Sequence, residues 1–328
     1  MRQIICLSAA AALLCVTSAE SAEVPPKQLA ARTELPQIQT LTLSDQKFLK
    51  GDSAGGAAVT ITGQLRIAQG MGRLPVVVLQ HGSAGITGGV DAWSQELNAL
   101  GISTFVLDGF SGRGLTDVNS NQAALGRLNF IVDIYRALDL LAKHPRVDPS
   151  RIALIGFSRG GQAALYASLR RFHKLWNKSA AQFAAYIAFY PDCMTTYVSD
   201  SDVVGQPIRI FGGKADDYDP ISACKAYVDR LRTAGADVKL TEYPNAPHTF
   251  DNPLSALPPI LSATSQTVRS CKIREAADGV LLNDATQRPF TYDDACVEHG
   301  AHFGYDPAAA QAARAAVNAF LRTVFKLD

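Results

Sequence analysis

The chain lacks the features that mark nucleic-acid-binding and membrane-embedded proteins. Its 328 residues carry a formal net charge of +1, because 31 Lys and Arg nearly balance 30 Asp and Glu. The basic residues do not cluster into a stripe, so no nucleic acid or acidic surface is expected as a partner. No segment beyond residue 22 is apolar enough for a membrane helix, and no membrane anchor is expected. These absences favour a protein that acts on a small molecule.

Cysteine is scarce, with six residues in the chain. Cys6 and Cys15 lie in a predicted cleaved signal peptide, residues 1–22, in which Arg2 precedes a short apolar run at 4–16 and small residues follow. The alternative is a retained N-terminal anchor. Removal of the signal leaves an even four cysteines, which favours an oxidising, periplasmic or secreted location.

The four remaining cysteines allow three disulfide pairings, and the sequence does not choose among them. We prefer Cys193–Cys224, which would join the ends of two neighbouring β-α units, and Cys271–Cys296, which would close a short local excursion. Four free thiols are the alternative.

Short apolar runs alternate with helical periodicity along most of the chain. Strands are predicted at 59–67, 74–79, 103–107, 151–155, 184–189, 208–211 and 238–243. Helices are predicted at 91–100 and 125–144, and a closing helix at 306–325 has Asp306 as its cap. This alternation predicts a mostly parallel, doubly wound sheet flanked by helices.

No internal repeat, linker or composition break divides the chain, so residues 23–328 are expected to form a single domain. Residues 23–45, rich in Pro, Ala and Thr, are predicted to be an extended lead-in. Residues 265–300 break the alternation and are predicted to be a hairpin or loop insert before the last helix, closed by the second disulfide.

The most informative motif is Gly-Phe-Ser-Arg-Gly at residues 156–160. It follows a predicted strand and precedes a helix, the context in which G-x-S-x-G indicates a nucleophile elbow. The glycines permit a sharp turn that presents the hydroxyl of Ser158. The alternative is a glycine-rich turn without chemistry.

A nucleophilic serine needs a base, and the base needs an acid that fixes its tautomer. His248 follows the last predicted strand and is the expected base, with a structural role in a turn as the alternative. Three aspartates compete as the acid. We prefer Asp216; Asp217 is the second choice, and Asp219 is expected to cap the following helix.

An oxyanion that forms during acyl transfer needs backbone N–H donors. One is expected from Arg159, the residue after the nucleophile, and the other from Ser83 in the loop after the second predicted strand, with Ala84 as the alternative. His81 is expected to support this loop. Arg113 could attract a substrate carboxylate, and structural pairing is the alternative.

Cys296, His299 and His302 are of the residue types that bind metals. A disulfide with two supporting histidines explains them better than a zinc site, and no metal or organic cofactor is expected.

These motifs together resemble the dienelactone hydrolase family within the α/β-hydrolase superfamily. The segments that carry the resemblance are 79–85, 156–161, 213–220 and 243–250, within a similar region at 59–253. The resemblance implies an α/β-hydrolase fold with Ser158 as nucleophile, Asp216 as acid and His248 as base. It implies the same oxyanion donors, Ser83 and Arg159.

The chain departs from the family pattern at two positions. The namesake enzymes carry a cysteine nucleophile where this chain has Ser158, and a glutamate that aligns with Gly82. Both departures favour an ordinary serine esterase. The sequence therefore predicts a hydrolase that cleaves carboxylic esters or lactones through an acyl-enzyme. The alternatives are a peptidase or amidase of the prolyl-oligopeptidase type and a catalytically silent hydrolase-fold binding protein.

Overall fold

The computed structural model describes residues 29–327, so the predicted signal peptide at 1–22 lies outside the described residues. The strands are β1 (Arg32–Glu34), β2 (Gln37–Thr42), β3 (Ala57–Ile67), β4 (Leu74–Gln80), β5 (Ser103–Asp108), β6 (Val147–Phe157), β7 (Ala185–Phe189), β8 (Thr195–Thr196), β9 (Ile208–Gly213), β10 (Val238–Tyr243), β11 (Ile260–Thr267), β12 (Ile273–Glu275), β13 (Leu281–Asn283), β14 (Arg288–Pro289) and β15 (Glu298–Phe303). The α-helices are α1 (Asp45–Lys50), α2 (Gly88–Ala99), α3 (Asn129–Ala142), α4 (Arg159–Tyr166), α5 (Arg170–Trp176), α6 (Ile221–Thr233) and α7 (Pro307–Phe325). None of the helices in this range is long and apolar enough to cross a membrane.

The main sheet has nine strands in the order β1-β3-β5-β4-β6-β7-β9-β10, and β2 also pairs with β3. Strands β4 to β7, β9 and β10 are parallel to one another, and β3 is antiparallel to β5. The predicted mostly parallel sheet is therefore confirmed. The carboxyl ends of the parallel strands meet at one edge, where loops can bring distant residues together.

The sheet separates two hydrophobic cores. Helices α3 to α6 pack on one face, and α2 and α7 pack on the other. Strand β4 shows why its run is solidly apolar: Val76 and Val78 enter the first core, while Val77 and Leu79 enter the second. Successive strand residues point to opposite faces, so a strand covered on both sides needs apolar residues throughout.

Helix α7 begins where the sequence predicts. The Asp306 carboxylate accepts hydrogen bonds from the N–H groups of Ala308 and Ala309, at 3.1 and 3.0 Å. This cap satisfies two of the four N–H groups that lack a partner at a helix start.

The described part of the lead-in predicted at 23–45 is extended, and its strands join the main sheet. Strands β1 and β2 lie there, both antiparallel to β3, and α1 begins at Asp45. Without β1 and β2, the edge of β3 that faces away from β5 would expose unpaired backbone N–H and C=O groups. The two strands form hydrogen bonds with these groups.

The excursion predicted at 265–300 starts earlier and ends later. Strands β11 and β15 form an antiparallel ribbon, and β12, β13 and β14 form a small sheet with β8. The structure contains the disulfides Cys193–Cys224 and Cys271–Cys296, the two pairings that the sequence analysis preferred. The second bond ties the start of β12 to the segment just before β15.

Candidate active site

The turn between β6 and α4 holds Ser158 in an unusual backbone conformation, with φ of 54° and ψ of −119°. Two flanking glycines make this turn possible. A Cβ on Gly156 would lie 1.9 Å from the carbonyl oxygen of Gly160, and a Cβ on Gly160 would lie 2.3 Å from that of Gln80. The Ser158 N–H donates to the Phe189 carbonyl at 3.0 Å, which ties the turn to β7. Such strain is typical of a nucleophile elbow.

Three predicted residues meet at the carboxyl edge of the sheet. The Ser158 hydroxyl lies 3.0 Å from Nε2 of His248, and Nδ1 of His248 lies 2.8 Å from Oδ2 of Asp216. All three side chains are buried. An ionised carboxylate at Nδ1 favours the tautomer with hydrogen on Nδ1, which leaves Nε2 free to accept the serine proton.

The second oxygen of Asp216 is also held. Its Oδ1 accepts backbone N–H groups from Tyr218 and Asp219, both at 2.9 Å. These two fixed donors orient the carboxylate. The loop after β9 therefore positions this acid before any substrate binds.

The two competing aspartates have other partners. Asp217 accepts the backbone N–H of His302 and lies 2.8 Å from its Nδ1, at an exposed position. The expectation that Asp219 caps α6 is wrong, because the cap position is Pro220 and no side chain bonds there. Asp219 is instead buried, and its pKa is raised well above the usual range. Burial is the main cause, and repulsion from Asp192 is the next.

The two predicted oxyanion residues are linked through a third side chain. Nε2 of Gln122 donates to the hydroxyls of Ser83 and Tyr218, at 3.0 and 2.8 Å. Its Oε1 accepts Nη1 of Arg159 at 2.7 Å, and Nη2 of Arg159 donates to the Leu125 carbonyl. Ser83, Gln122 and Arg159 are all buried. Gln122 therefore connects the side chains of the two residues whose backbone N–H groups are predicted as oxyanion donors.

His81 supports the same loop. Its Nε2 accepts the Gly109 N–H at 3.1 Å, so Nδ1 carries the hydrogen and donates to the Gly82 carbonyl at 2.8 Å. Burial lowers the pKa of His81 from 6.5 to about 4. This histidine is neutral near pH 7 and takes no part in the relay to Ser158.

A cleft of about 220 Å³ opens above Ser158. Its walls come from three places: the loop after β4 with the start of α2, the loop after β10, and the ribbon of the insert. The large or charged side chains that line the cleft include Val90, Phe157, Tyr190, Asp251, Ile260 and Phe303. The insert is thus part of the site.

Tyr190 packs against His248. Its ring centroid lies 4.6 Å from that of His248, and its hydroxyl donates to Oδ1 of Asp251 at 2.7 Å. Oδ2 of Asp251 accepts Nε1 of Trp93 at 2.6 Å. Burial raises the pKa of Asp251. Phe303 from β15 packs edge-on against His248 at 5.3 Å, so aromatic rings hold the imidazole on two sides.

Arg113 and the potential metal ligands lie elsewhere. Arg113 forms a buried ion pair with Asp133, at 2.7 and 2.9 Å, and does not line the cleft. Cys296 is in a disulfide, and His302 pairs with Asp217. Between residues 29 and 327, no group of three or more His, Cys, Asp or Glu side chains is arranged to hold a metal ion.

The sequence analysis missed Gln122, Asp251 and the wall formed by Ile260 and Phe303. Gln122 begins a short 3-10 helix (Gln122–Ala124) that carries no motif, and the partners of its side chain are 37, 39 and 96 positions away in sequence. Asp251 comes three positions after His248, a weak signal that was available. The ribbon residues carry no chemical motif, and only pairing of β11 with β15 brings them to the cleft.

The comparisons with known proteins agree with this architecture. The model of the dienelactone hydrolase family matches residues 61–325. A dienelactone hydrolase-like promiscuous phosphotriesterase from metagenomic libraries is 16% identical, with a TM-score of 0.56, and the match covers 90% of this chain and 98% of that one. The structure named m3DLH is 18% identical, with a TM-score of 0.55 and coverage of 89% and 98%. No curated protein matches the chain. These similarities establish the α/β-hydrolase fold.

Proposed function

The chain belongs to the dienelactone hydrolase family and is therefore a hydrolase that acts on esters; we propose that it is a serine hydrolase cleaving carboxylic esters or lactones through an acyl-enzyme. The observation that supports this most is the continuous hydrogen-bonded series from Asp216 through His248 to Ser158, at 2.8 and 3.0 Å. Such a series is what a serine nucleophile needs at neutral pH.

In the first half of the reaction, the Ser158 oxygen forms a bond to the substrate carbonyl carbon. Its proton passes to Nε2 of His248, and Asp216 stabilises the resulting imidazolium. The proton then goes to the leaving alkoxide as the carbon–oxygen bond breaks. In the second half, a water oxygen forms a bond to the acyl carbon while His248 takes the water proton. The bond between the acyl carbon and the Ser158 oxygen then breaks, His248 returns the proton to Ser158, and the carboxylic acid product leaves.

The backbone N–H groups of Ser83 and Arg159 are proposed to bind the developing oxyanion. Arg159 opens α4, so its N–H lies at a helix start where the macrodipole favours negative charge. One such donor is typically worth about 3 kcal/mol of barrier.

Export to the periplasm or outside the cell is proposed from the disulfides. Disulfides persist in oxidising compartments and are rare in a reducing cytosol. Release of a mature chain that begins near residue 23 tests this proposal, and N-terminal sequencing of the exported protein measures it.

Ser158→Ala, assayed on 4-nitrophenyl acetate and with a fluorophosphonate probe, tests the nucleophile. We expect a loss of at least about 10⁴-fold in kcat and no labelling. Ser168→Ala is the matched control, because Ser168 is also buried and its hydroxyl donates only to the Leu165 carbonyl, at 2.5 Å. A folded Ser158→Ala protein with unchanged turnover would contradict the proposal.

A further inference from the structure

The mouth of the cleft is uncharged on both sides. Residues 82–90, in the loop after β4, and residues 252–267, at the start of the insert, contain no Lys, Arg, Asp or Glu. Among the residues that the structure describes, no Lys or Arg lines the cleft itself. Within the same described part, Asp251 is the one lining carboxylate, and its two oxygens are occupied by Trp93 and Tyr190.

The two arginines that the sequence analysis associated with the site are paired with other groups. Arg159 donates its guanidinium to Gln122 and Leu125, and Arg113 pairs with Asp133. A substrate carboxylate in the cleft would therefore lose its water without gaining a cationic partner, which is unfavourable. The site disfavours the anionic end of a substrate.

The start of the insert, which leads to the cleft wall at Ile260, exposes three large apolar side chains. Leu254, Leu257 and Ile260 are 77%, 66% and 60% exposed; we call these three the apolar rim. Ile260 lines the cleft. Leu254 lies over the start of α2, where a Cβ on Gly88 would come within 2.3 Å of its Cδ1. The rim is therefore continuous with the cleft.

Leu261 follows Ile260 in sequence but does not belong to the apolar rim. Ile260 pairs with Phe303 across the ribbon, and both residues line the cleft. Leu261 pairs with His302, and successive strand residues point to opposite faces. Leu261 is 58% exposed on the side away from the cleft, so it resembles the rim residues in exposure but not in position.

We infer that the substrate is an uncharged ester with an apolar chain that leaves the cleft and lies along Leu254, Leu257 and Ile260. This inference rests on the proposed function, because it takes the ester carbonyl to sit at Ser158. The chain would cover apolar side chains that are otherwise in water, and each methylene that it buries would strengthen binding. The group that the apolar rim would bind is therefore a single uncharged acyl chain.

The test compares kcat/KM for soluble 4-nitrophenyl butyrate and octanoate, both below their solubility limits. A fully buried methylene is worth about fourfold, and a half-open rim gives roughly half of that on a logarithmic scale, so four methylenes give on the order of tenfold in favour of octanoate. The 4-nitrophenyl monoester of suberic acid has the same chain length with a terminal carboxylate. It is expected to react at least about tenfold more slowly than octanoate.

Substitutions test whether the preference for octanoate depends on the apolar rim. Leu254→Ser with Leu257→Ser is expected to reduce the octanoate-to-butyrate ratio to about threefold or less, since a polar side chain contributes little apolar area. Leu261→Ser, the matched control, is expected to keep the wild-type ratio.

Each contrary result is distinct. Butyrate turnover without chain dependence, or equal ratios in the rim and control variants, overturns the inference and leaves the proposed function intact. If the rate with octanoate rises only above its solubility limit, the rim binds aggregated substrate and not a single acyl chain. This result also overturns the inference. Absence of turnover with every ester overturns the proposed function, and the inference with it.

Discussion

At the scale of the residue, Asp216 and Asp217 are adjacent in sequence but lie in different surroundings. The Asp216 carboxylate is buried against His248, whereas that of Asp217 is half exposed beside His302. Proximity to His248, and not residue type, distinguishes the two aspartates.

Replacement of each aspartate tests this difference. Asp216→Asn keeps the shape but favours the wrong imidazole tautomer, and we expect kcat on 4-nitrophenyl acetate to fall by about 10⁴-fold. Asp217→Asn is the control and should stay within about threefold of wild type, because its partner His302 is exposed. Comparable losses in the two variants would refute the assignment of the acid.

Gln122 is the second residue whose position carries a prediction. Gln122→Leu keeps the volume but removes the bonds to Ser83, Tyr218 and Arg159, which are argued to position the oxyanion donors. We expect kcat to fall by about 10- to 100-fold with little change in KM, since the effect falls on the transition state.

The control for this prediction is a second buried glutamine. Gln162 lies in α4, three residues after Arg159, and its buried Nε2 has no hydrogen-bond partner in the described structure. Gln162→Leu should change kcat by less than about threefold, because no bond of Nε2 is lost. If Gln122→Leu raises KM and leaves kcat unchanged, the positioning role is wrong.

At the scale of the element, the insert matters because the ribbon of β11 and β15 forms one wall of the cleft. Ile260 and Phe303 face each other across this ribbon, and Phe303 contacts His248. The Cys271–Cys296 disulfide closes the 25-residue separation between the two ends of the excursion. The disulfide thus limits the freedom of a segment that shapes the site.

Removal of this disulfide should affect both stability and substrate binding. In the chain-entropy model a loop of this length is worth about 3.5 kcal/mol, so Cys271→Ser with Cys296→Ser should lower the free energy of unfolding by about that amount. Urea unfolding measures this loss. KM for 4-nitrophenyl butyrate should rise, because the wall formed by the ribbon is less constrained.

The other disulfide provides a comparison. Cys193 and Cys224 are 31 positions apart, so Cys193→Ser with Cys224→Ser should cost a similar free energy. An insert variant with wild-type stability and wild-type KM would show that the ribbon holds its form without the bond.

At the scale of the whole molecule, buried ionisable groups link the stability of the fold to pH. The pKa of His81 is about 4 in the folded protein and near 6.5 when exposed. The unfolded chain therefore binds a proton that the folded chain does not. The contribution of His81 to stability is fully present above pH 6.5 and is lost as the pH falls toward 4.

His81→Gln should remove this component. Between pH 8 and pH 5, His81 alone is expected to lower the free energy of unfolding by about 2 kcal/mol. Asp219 acts in the opposite direction, since its raised pKa makes the folded state bind a proton more readily. The difference between variant and wild type, measured by urea unfolding at both pH values, therefore isolates His81.

The exposed His299 provides the control for this measurement. His299→Gln should keep the pH dependence of the wild type, because its side chain is in water. An equal pH dependence in His81→Gln and wild type would contradict the assignment to the buried imidazole.

Local patterns were sufficient for much of the fold. The apolar run in β4 indicated a strand buried on both faces, and Asp306 marked the start of α7, because both signals depend on neighbours in sequence. The start of α3 was placed too early. Its first residue, Asn129, is fixed by hydrogen bonds with Leu43, 86 positions away, and no local pattern reports such a bond.

The sequence by itself determined the sheet-and-helix alternation, the elbow at Ser158 and the short list of partners in the loops after β9 and β10. These depend on periodicity and on backbone freedom at glycine, which are local properties. Only the tertiary structure decided which aspartate meets His248, that Gln122 joins Ser83 to Arg159, and that the insert forms a wall of the cleft. Each of these depends on side chains far apart in sequence, whose distances are set when the strands pair and the two cores close.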